Sequence, residues 1–145
     1  MAVREYRSVL DVDPDELTSL NNLSLILAQR GDWEGARELT GRAMEIGGSF
    51  LFHLNGAFAL YHVGRSDEAL QTLAQGLELY PDNGNLRLMR AVLHAADGRY
   101  AIADSLLADA ARDHRDPSLE VTRAHMLSAL EAVRGRVREA LVHAR

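Results

Sequence analysis

Apolar and small residues recur at helical spacing on both sides of four regularly placed glycines. Leu20, Leu23 and Leu27 share one face of a first helix, and Ala36 and Ala43 share a face of a second. The glycines fall 33, 34 and 37 residues apart, and each is followed five residues later by an alanine. The pairs are Gly31 and Ala36, Gly64 and Ala69, Gly98 and Ala103, and Gly135 and Ala140. A period in the thirties predicts stacked units, each made of two antiparallel helices.

The turns and crossings of these units follow from the same pattern. Each glycine is expected to end a first helix, because the reversal needs a residue in the left-handed conformation. Asp32 and Ser66 are expected to cap the second helices, and Trp33, at the start of one, is expected to lie between units. Small residues let paired helices approach closely, and a leucine there would separate them. These small residues are Ser24, Ala57 and Ser128 on first helices, facing Ala36, Ala69 and Ala140 on second helices.

Two units carry a fuller set of packing residues than the others. Residues 50–83 have Asn55, Ala57, Gly64, Glu68, Ala69, Gly76, Leu77 and Pro81. Residues 17–49 have Leu20, Leu23, Ser24, Gly31, Trp33, Ala36 and Ala43. In these positions the sequence resembles the tetratricopeptide repeat family. The resemblance covers nearly the whole chain and implies an all-α fold, a right-handed α-solenoid of stacked antiparallel helix pairs.

The period divides the chain into a single array of repeats. The predicted divisions are the second helix of an incomplete repeat at 1–14, repeats at 17–49, 50–83 and 84–117, and a truncated repeat at 118–145. Arg87 and Arg90 occupy expected packing positions, so the first helix of that repeat is expected to be rotated or its turn to hold an extra residue. The atypical ends favour an excised piece of a longer array, and the alternative is that both edges pair with another copy or a partner.

First helices of such an array line its inner surface, where they are expected to form a groove with an apolar, partly aromatic floor. The predicted groove residues are Asn21, Asn22, Leu25, Leu51, Leu54, Asn55, Phe58, Tyr61, His62, Leu88 and Val92. Phe58 and Tyr61 are the expected anchors for a helix or an extended peptide. The alternative is that Phe58 and Leu54 only pack against neighbouring first helices. The resemblance implies that Asn22 and Asn55 bind the backbone of a peptide, although either could equally cap local backbone groups.

The amino-acid composition excludes several kinds of functional site and partner. The chain has 145 residues, no cysteine and a formal net charge of −5, so thiolate chemistry is excluded and nucleic acid is not the expected partner. No apolar stretch is long enough to span a bilayer and no secretion leader is recognisable, so we expect a cytoplasmic protein without a membrane partner. None of the six histidines has another three or four residues away, so no metal site is predicted. We likewise predict no cofactor, no catalytic residue and no enzymatic activity.

These features favour a noncatalytic protein–protein interaction module or scaffold that binds a peptide or helix of a partner protein in its groove. One alternative is a self-association element of a larger machine, in which residues 2–10 and 137–142 stack copies into a homo-oligomer. Another is the recruiting segment of a longer multidomain protein.

Overall fold

The structure is a computed structural model that describes residues 2–112 and residue 135. Most of this described backbone is helical. The helices are α1 (Ala2–Val12), α2 (Leu17–Gln29), α3 (Trp33–Ile46), α4 (Phe50–His62), α5 (Ser66–Leu79), α6 (Gly84–Ala96) and α7 (Tyr100–Arg112). No strand occurs among the described residues. Within each closely packed pair a connection of a few residues reverses the chain, so the paired helices run antiparallel. The division of the chain into repeats stays a prediction.

Left-handed glycines end the first helix of each described pair. Gly31, Gly64 and Gly98 follow α2, α4 and α6 with φ of 81°, 83° and 78°, which confirms the expected reversals. Gly47 adds a left-handed residue after α3, with φ of 95°. Gly135 is helical and has no positive φ, so the reversal predicted there is wrong. The step of 37 residues that leads to Gly135 already departs from the period of the other glycines.

Of the two residues predicted to cap second helices, one does so and the other does not. Asp32 is the N-cap of α3, and its side chain accepts a hydrogen bond from the backbone N–H of Gly35 at 3.0 Å, as expected. Ser66 is not a cap, because it is the first residue of α5 and Arg65 holds the N-cap position without a side-chain hydrogen bond. In both turns the residue directly after the glycine is the N-cap, and Ser66 lies one position further along.

The chain divides into two compact units, Met1–Pro81 and Asp82–Arg145. In the first unit, small residues at the helix crossings are buried, as predicted. Their exposed fractions are 1% for Ser24, 2% for Ala36, 0% for Ala57 and 0% for Ala69. Large side chains fill the remaining core, which is built mainly from Leu20, Leu23, Leu27 and Phe52. In the second unit Ala91, Ala95, Ala103 and Leu107 form the core between α6 and α7. Ser128 and Ala140 lie outside the described residues.

Helix α6 keeps the register of α4 despite its arginines. Its buried residues include Leu86, Ala91 and Leu93, which follow the buried Phe52, Ala57 and Ala59 by 34 residues, and α6 itself begins 34 residues after α4. The predicted rotation is therefore wrong. The predicted extra turn residue is found in the connection before α6, which holds four residues (80–83) where the connection before α4 holds three (47–49). Arg87 and Arg90 are half-buried, because a long arginine side chain can lie along apolar surface and still bring its guanidinium to water.

Candidate functional site

Two asparagine side chains connect α2 to its neighbours. Nδ2 of Asn55 on α4 donates a hydrogen bond to Oδ1 of Asn21 on α2 at 3.3 Å. Nδ2 of Asn22 donates to the hydroxyl of Tyr6 on α1 at 3.1 Å. Both amides therefore bridge helices, and neither caps the local backbone in these bonds. A side-chain amide offers two donor hydrogens and an acceptor oxygen, so the pair of Asn21 and Asn55 keeps capacity for a further partner.

Accessible apolar side chains flank this amide pair. Leu25 lies one turn after Asn21, and Leu51 and Phe58 lie one turn before and after Asn55. Their exposed fractions are 40% for Leu25, 41% for Leu51 and 39% for Phe58. A single exposed apolar residue is ordinary, but three beside one amide pair form a local apolar surface. We call this surface the α2–α4 face and define it by Asn21, Leu25, Leu51, Leu54, Asn55, Phe58, Tyr61 and His62.

An aromatic cluster lies at the end of the face formed by the last turn of α4. The rings of Trp33 and His62 stack with centroids 3.8 Å apart and an interplanar angle of 20°. Phe58 meets Trp33 edge to face at 5.5 Å and is tilted against His62 at 4.3 Å. Tyr61 meets the His62 ring edge to face at 5.6 Å. Trp33 comes from α3, so its expected position between successive helix pairs is confirmed.

In its ring contact with Trp33, Phe58 meets a second helix rather than a neighbouring first helix, and its role as a peptide anchor stays a prediction. It packs against Trp33, yet it remains 39% exposed. Leu54 and Tyr61 are half-buried, and His62 is exposed. Sequence reasoning did not include Trp33 in the groove, although its place one residue after Asp32, where α3 begins, could have suggested contact with the end of α4.

Neither α2 nor α4 contains an Asp, Glu, Lys or Arg residue over its 13 residues. This absence is unusual in a chain of which 26% is charged. Helices α1, α3 and α5 carry acidic residues in their first turns, by contrast. The α2–α4 face therefore offers apolar contacts, neutral amides and an imidazole, but no formal acid or strong base for pairing with a charged group.

The two groove residues predicted on α6 belong to the second unit. Leu88 is half-buried and packs against the core of that unit, whereas Val92 is 40% exposed. The guanidinium of Arg87 lies 3.4 Å from the Asp82 carboxylate on the same unit. The assignment of Leu88 and Val92 to a groove stays a prediction.

Two histidines are buried in the helix cores. His53 on α4 is 6% exposed and His94 on α6 is 8% exposed. Burial lowers the pKa of His53, an effect that the backbone of Ser49 partly opposes. Burial, followed by the charges of Arg90 and Arg99, lowers the pKa of His94. Nδ1 of each ring has no hydrogen-bond partner of normal geometry among the described residues. His114, His125 and His143 lie outside those residues.

Within residues 2–112 and residue 135, no group of three or more His, Cys, Asp or Glu side chains is arranged to hold a metal ion. Over the same part of the chain, no helix has both the length and the apolar content required to cross a membrane.

Antiparallel helix pairs with small buried residues at their crossings define a helical repeat protein of the α-solenoid class. Two family models, each described as tetratricopeptide repeat, match residues 17–47 and residues 60–130. The chain belongs to the tetratricopeptide repeat family, which confirms the resemblance seen in the sequence. No curated protein matches the sequence significantly.

Several solved structures share this fold. The type III secretion translocator chaperone SycD of Yersinia enterocolitica superposes with a TM-score of 0.73 at 20% identity, covering 86% of this chain and 95% of SycD. SycD in complex with a peptide of the translocator YopD gives 0.69 at 21%, covering 84% and 95%. PcrH of Pseudomonas aeruginosa, in complex with the chaperone binding region of PopD, gives 0.67 at 24%, covering 85% and 94%. These likenesses confirm the predicted all-α solenoid fold.

Proposed function

We propose that residues 1–81 form a noncatalytic binding module that holds an apolar, uncharged segment of another protein on the α2–α4 face. The observation that carries the proposal is the combination of exposed apolar side chains with two helices that contain no charged residue. A bound segment with Asp, Glu, Lys or Arg against this face would lose hydration without gaining an ion pair. A segment with aliphatic or aromatic side chains would instead bury the exposed parts of Leu25, Leu51 and Phe58.

The structural neighbours support a peptide as the ligand. SycD is described in complex with a peptide of YopD, and PcrH in complex with the chaperone binding region of PopD. Their fold therefore accommodates a segment of another protein, and we extend that property to this chain. Stacked helix pairs generally present such extended binding surfaces.

Selection from a phage-displayed library of random dodecapeptides tests the proposal. We expect enriched peptides to carry apolar residues and no charge over the positions required for binding. Their affinity for the Leu25→Glu and Phe58→Glu variants should fall at least about tenfold, because each variant buries an unpaired carboxylate under the ligand. The matched control is Leu79→Glu on α5, where the leucine is 65% exposed and lies outside the face.

The control variant should bind the selected peptides as the unmodified protein does. Circular dichroism of all three variants should match that of the unmodified protein, since each substituted residue is at least 39% exposed. Enrichment of highly charged peptides, or equal loss of binding in all three variants, would contradict the proposal.

Self-association is a second candidate, favoured by apolar residues on α1. Val9 is 42% exposed and Val12 is 88% exposed, so one side of this helix presents uncovered apolar surface. SycD has also been crystallised in a form described as an alternative dimer. Sedimentation velocity at two protein concentrations distinguishes the candidates: a mass that rises with concentration in the unmodified protein, but not in Val12→Lys, would support assembly through α1. The predicted second edge, 137–142, lies outside the described residues.

A further inference from the structure

His62 presents a hydrogen-bond acceptor of fixed orientation beside the exposed part of the α2–α4 face. Its Nδ1 lies 2.8 Å from the backbone oxygen of Phe58, one turn earlier on α4. A carbonyl oxygen can only accept, so Nδ1 carries the hydrogen in this contact. In the neutral imidazole the other nitrogen, Nε2, is then an acceptor.

Ring contacts hold this imidazole in place. One face of the ring stacks on Trp33 at 3.8 Å, and Phe58 and Tyr61 contact it at 4.3 Å and 5.6 Å. A side chain whose rotamer is already set loses little conformational freedom when a ligand binds. His62 is nevertheless exposed, so it remains accessible to a ligand.

The polar groups of the face match an extended backbone better than a helix. A helical ligand satisfies its interior N–H and C=O groups within itself, so it has little use for acceptors and donors between its side chains. An extended ligand leaves backbone groups that need partners. The amide pair of Asn21 and Asn55 and the imidazole of His62 carry hydrogen-bonding atoms of the kind that can satisfy them.

We propose that Nε2 of His62 accepts a hydrogen bond from a backbone N–H of an extended segment bound on the α2–α4 face. The proposal rests on the peptide-binding function proposed above and assigns His62 as a specificity-determining contact of that site. The bound segment must offer an N–H at the position opposite His62. Proline and N-methylated residues are excluded there, because neither has a backbone N–H.

The test combines variants of His62 with single N-methylation along a peptide obtained by the display selection. His62→Phe keeps an aromatic ring for stacking on Trp33 but removes the acceptor. His62→Gln loses the aromatic ring but carries an amide oxygen as a potential acceptor near the position of Nε2. Affinities are measured by calorimetry for each protein with the unmodified peptide and with each N-methylated peptide.

We expect His62→Phe to bind the unmodified peptide about 3- to 10-fold more weakly, the range for one neutral hydrogen bond. His62→Gln should recover part of this loss. At one peptide position, N-methylation should weaken binding to the wild-type chain by a similar factor but leave binding to His62→Phe unchanged. Such coupling identifies the N–H that contacts His62, because a merely structural effect of the substitution would not depend on one peptide position.

The proposal is overturned if N-methylation costs the same affinity at every position in the wild-type chain and in His62→Phe. It is also overturned if the bound peptide is helical by circular dichroism. A peptide that loses binding to Leu25→Glu but shows no coupling to His62 would overturn this inference and leave the proposed function intact. Failure to select any peptide that depends on Leu25 and Phe58 would overturn both.

Discussion

The indole of Trp33 stacks on the imidazole of His62 with ring centroids 3.8 Å apart, joining the start of α3 to the last turn of α4. Trp33 lies outside the α2–α4 face, yet it contacts both Phe58 and His62 within it. A residue of a neighbouring helix therefore sets the orientation of two side chains that a ligand would meet. Aromatic pairs of this kind contribute about 0.5–1.5 kcal/mol beyond the area they bury.

We expect Trp33→Ala to lower the free energy of unfolding by about 1–3 kcal/mol, less than for a fully buried tryptophan because Trp33 is half-buried. Affinity for a selected peptide should fall as well, since Phe58 and His62 lose their support. Trp33→Phe should retain most of both properties. Urea unfolding and calorimetric titration measure the two effects, and a Trp33→Ala variant with unchanged affinity would contradict the supporting role.

The small residue at the crossing of α4 and α5 should not tolerate a larger side chain. Ala69 is 0% exposed, so Ala69→Leu must displace α4 or α5 and should cost about 1–3 kcal/mol of stability. Ala74→Leu is the matched control, because Ala74 is exposed on the same helix. Urea unfolding should show a lower midpoint for Ala69→Leu only. Equal midpoints would indicate that the helices do not require a small residue at this crossing.

Two glycines with open surroundings should respond to alanine in opposite directions. Apart from the adjoining backbone, no atom lies within 4 Å of where a Cβ would stand at Gly64 or at Gly41, so sterics do not distinguish them. Gly64 has φ of 83°, and Gly64→Ala should destabilise the protein by about 1 kcal/mol or more through backbone strain. Gly41 lies within α3, and Gly41→Ala should stabilise it by about 0.5–1 kcal/mol. The melting temperature should therefore fall for Gly64→Ala and rise for Gly41→Ala relative to the unmodified protein. Changes of the same sign in both variants would contradict this prediction.

Acidification should destabilise the helix cores through the buried histidines. Burial lowers the pKa of His53 and of His94 below the ordinary value of 6.5. The unfolded chain therefore binds protons at these sites before the folded chain does. Destabilisation by the two histidines is therefore absent well above pH 6.5. It grows as the pH falls below 6.5, towards the lowered pKa values of the folded chain.

Urea unfolding at about pH 7.5 and about pH 5.5 measures the decrease in unfolding free energy on acidification. Histidine is the main side chain that changes protonation between these two pH values. Replacing both histidines, as His53→Leu with His94→Leu, should reduce the difference in unfolding free energy between the two pH values. A single replacement should give an intermediate difference if the double variant does not fold. An undiminished difference in these variants would place the pH dependence elsewhere in the chain.

The features that repeat along the chain were the most readily predicted from the sequence. Gly31, Gly64 and Gly98 and the alanines that follow them recur at regular spacing, so the reversals and close crossings could be assigned before the structure. The step to Gly135 departs from this spacing, and the chain reversal predicted at Gly135 is wrong.

The side-chain contacts of the α2–α4 face could not be predicted from the sequence. They depend on how the helices pack, which the spacing of residues along the chain does not specify. The bond between Asn55 and Asn21 and the stack of His62 on Trp33 join different helices, and their geometry depends on how those helices are oriented. Burial of His53 was also unforeseen, because a histidine of intermediate polarity carries no strong preference for core or surface.

Chemical-shift mapping with a selected peptide tests the central claim most directly. The isotope-labelled protein is titrated with the peptide, and both backbone and side-chain amide signals are followed. Ligand binding on the α2–α4 face predicts the largest changes at the side-chain amides of Asn21 and Asn55 and at the backbone of Leu25, Leu51 and Phe58. Changes confined to α1, α3 or α5, with the signals of α2 and α4 unmoved, would contradict it.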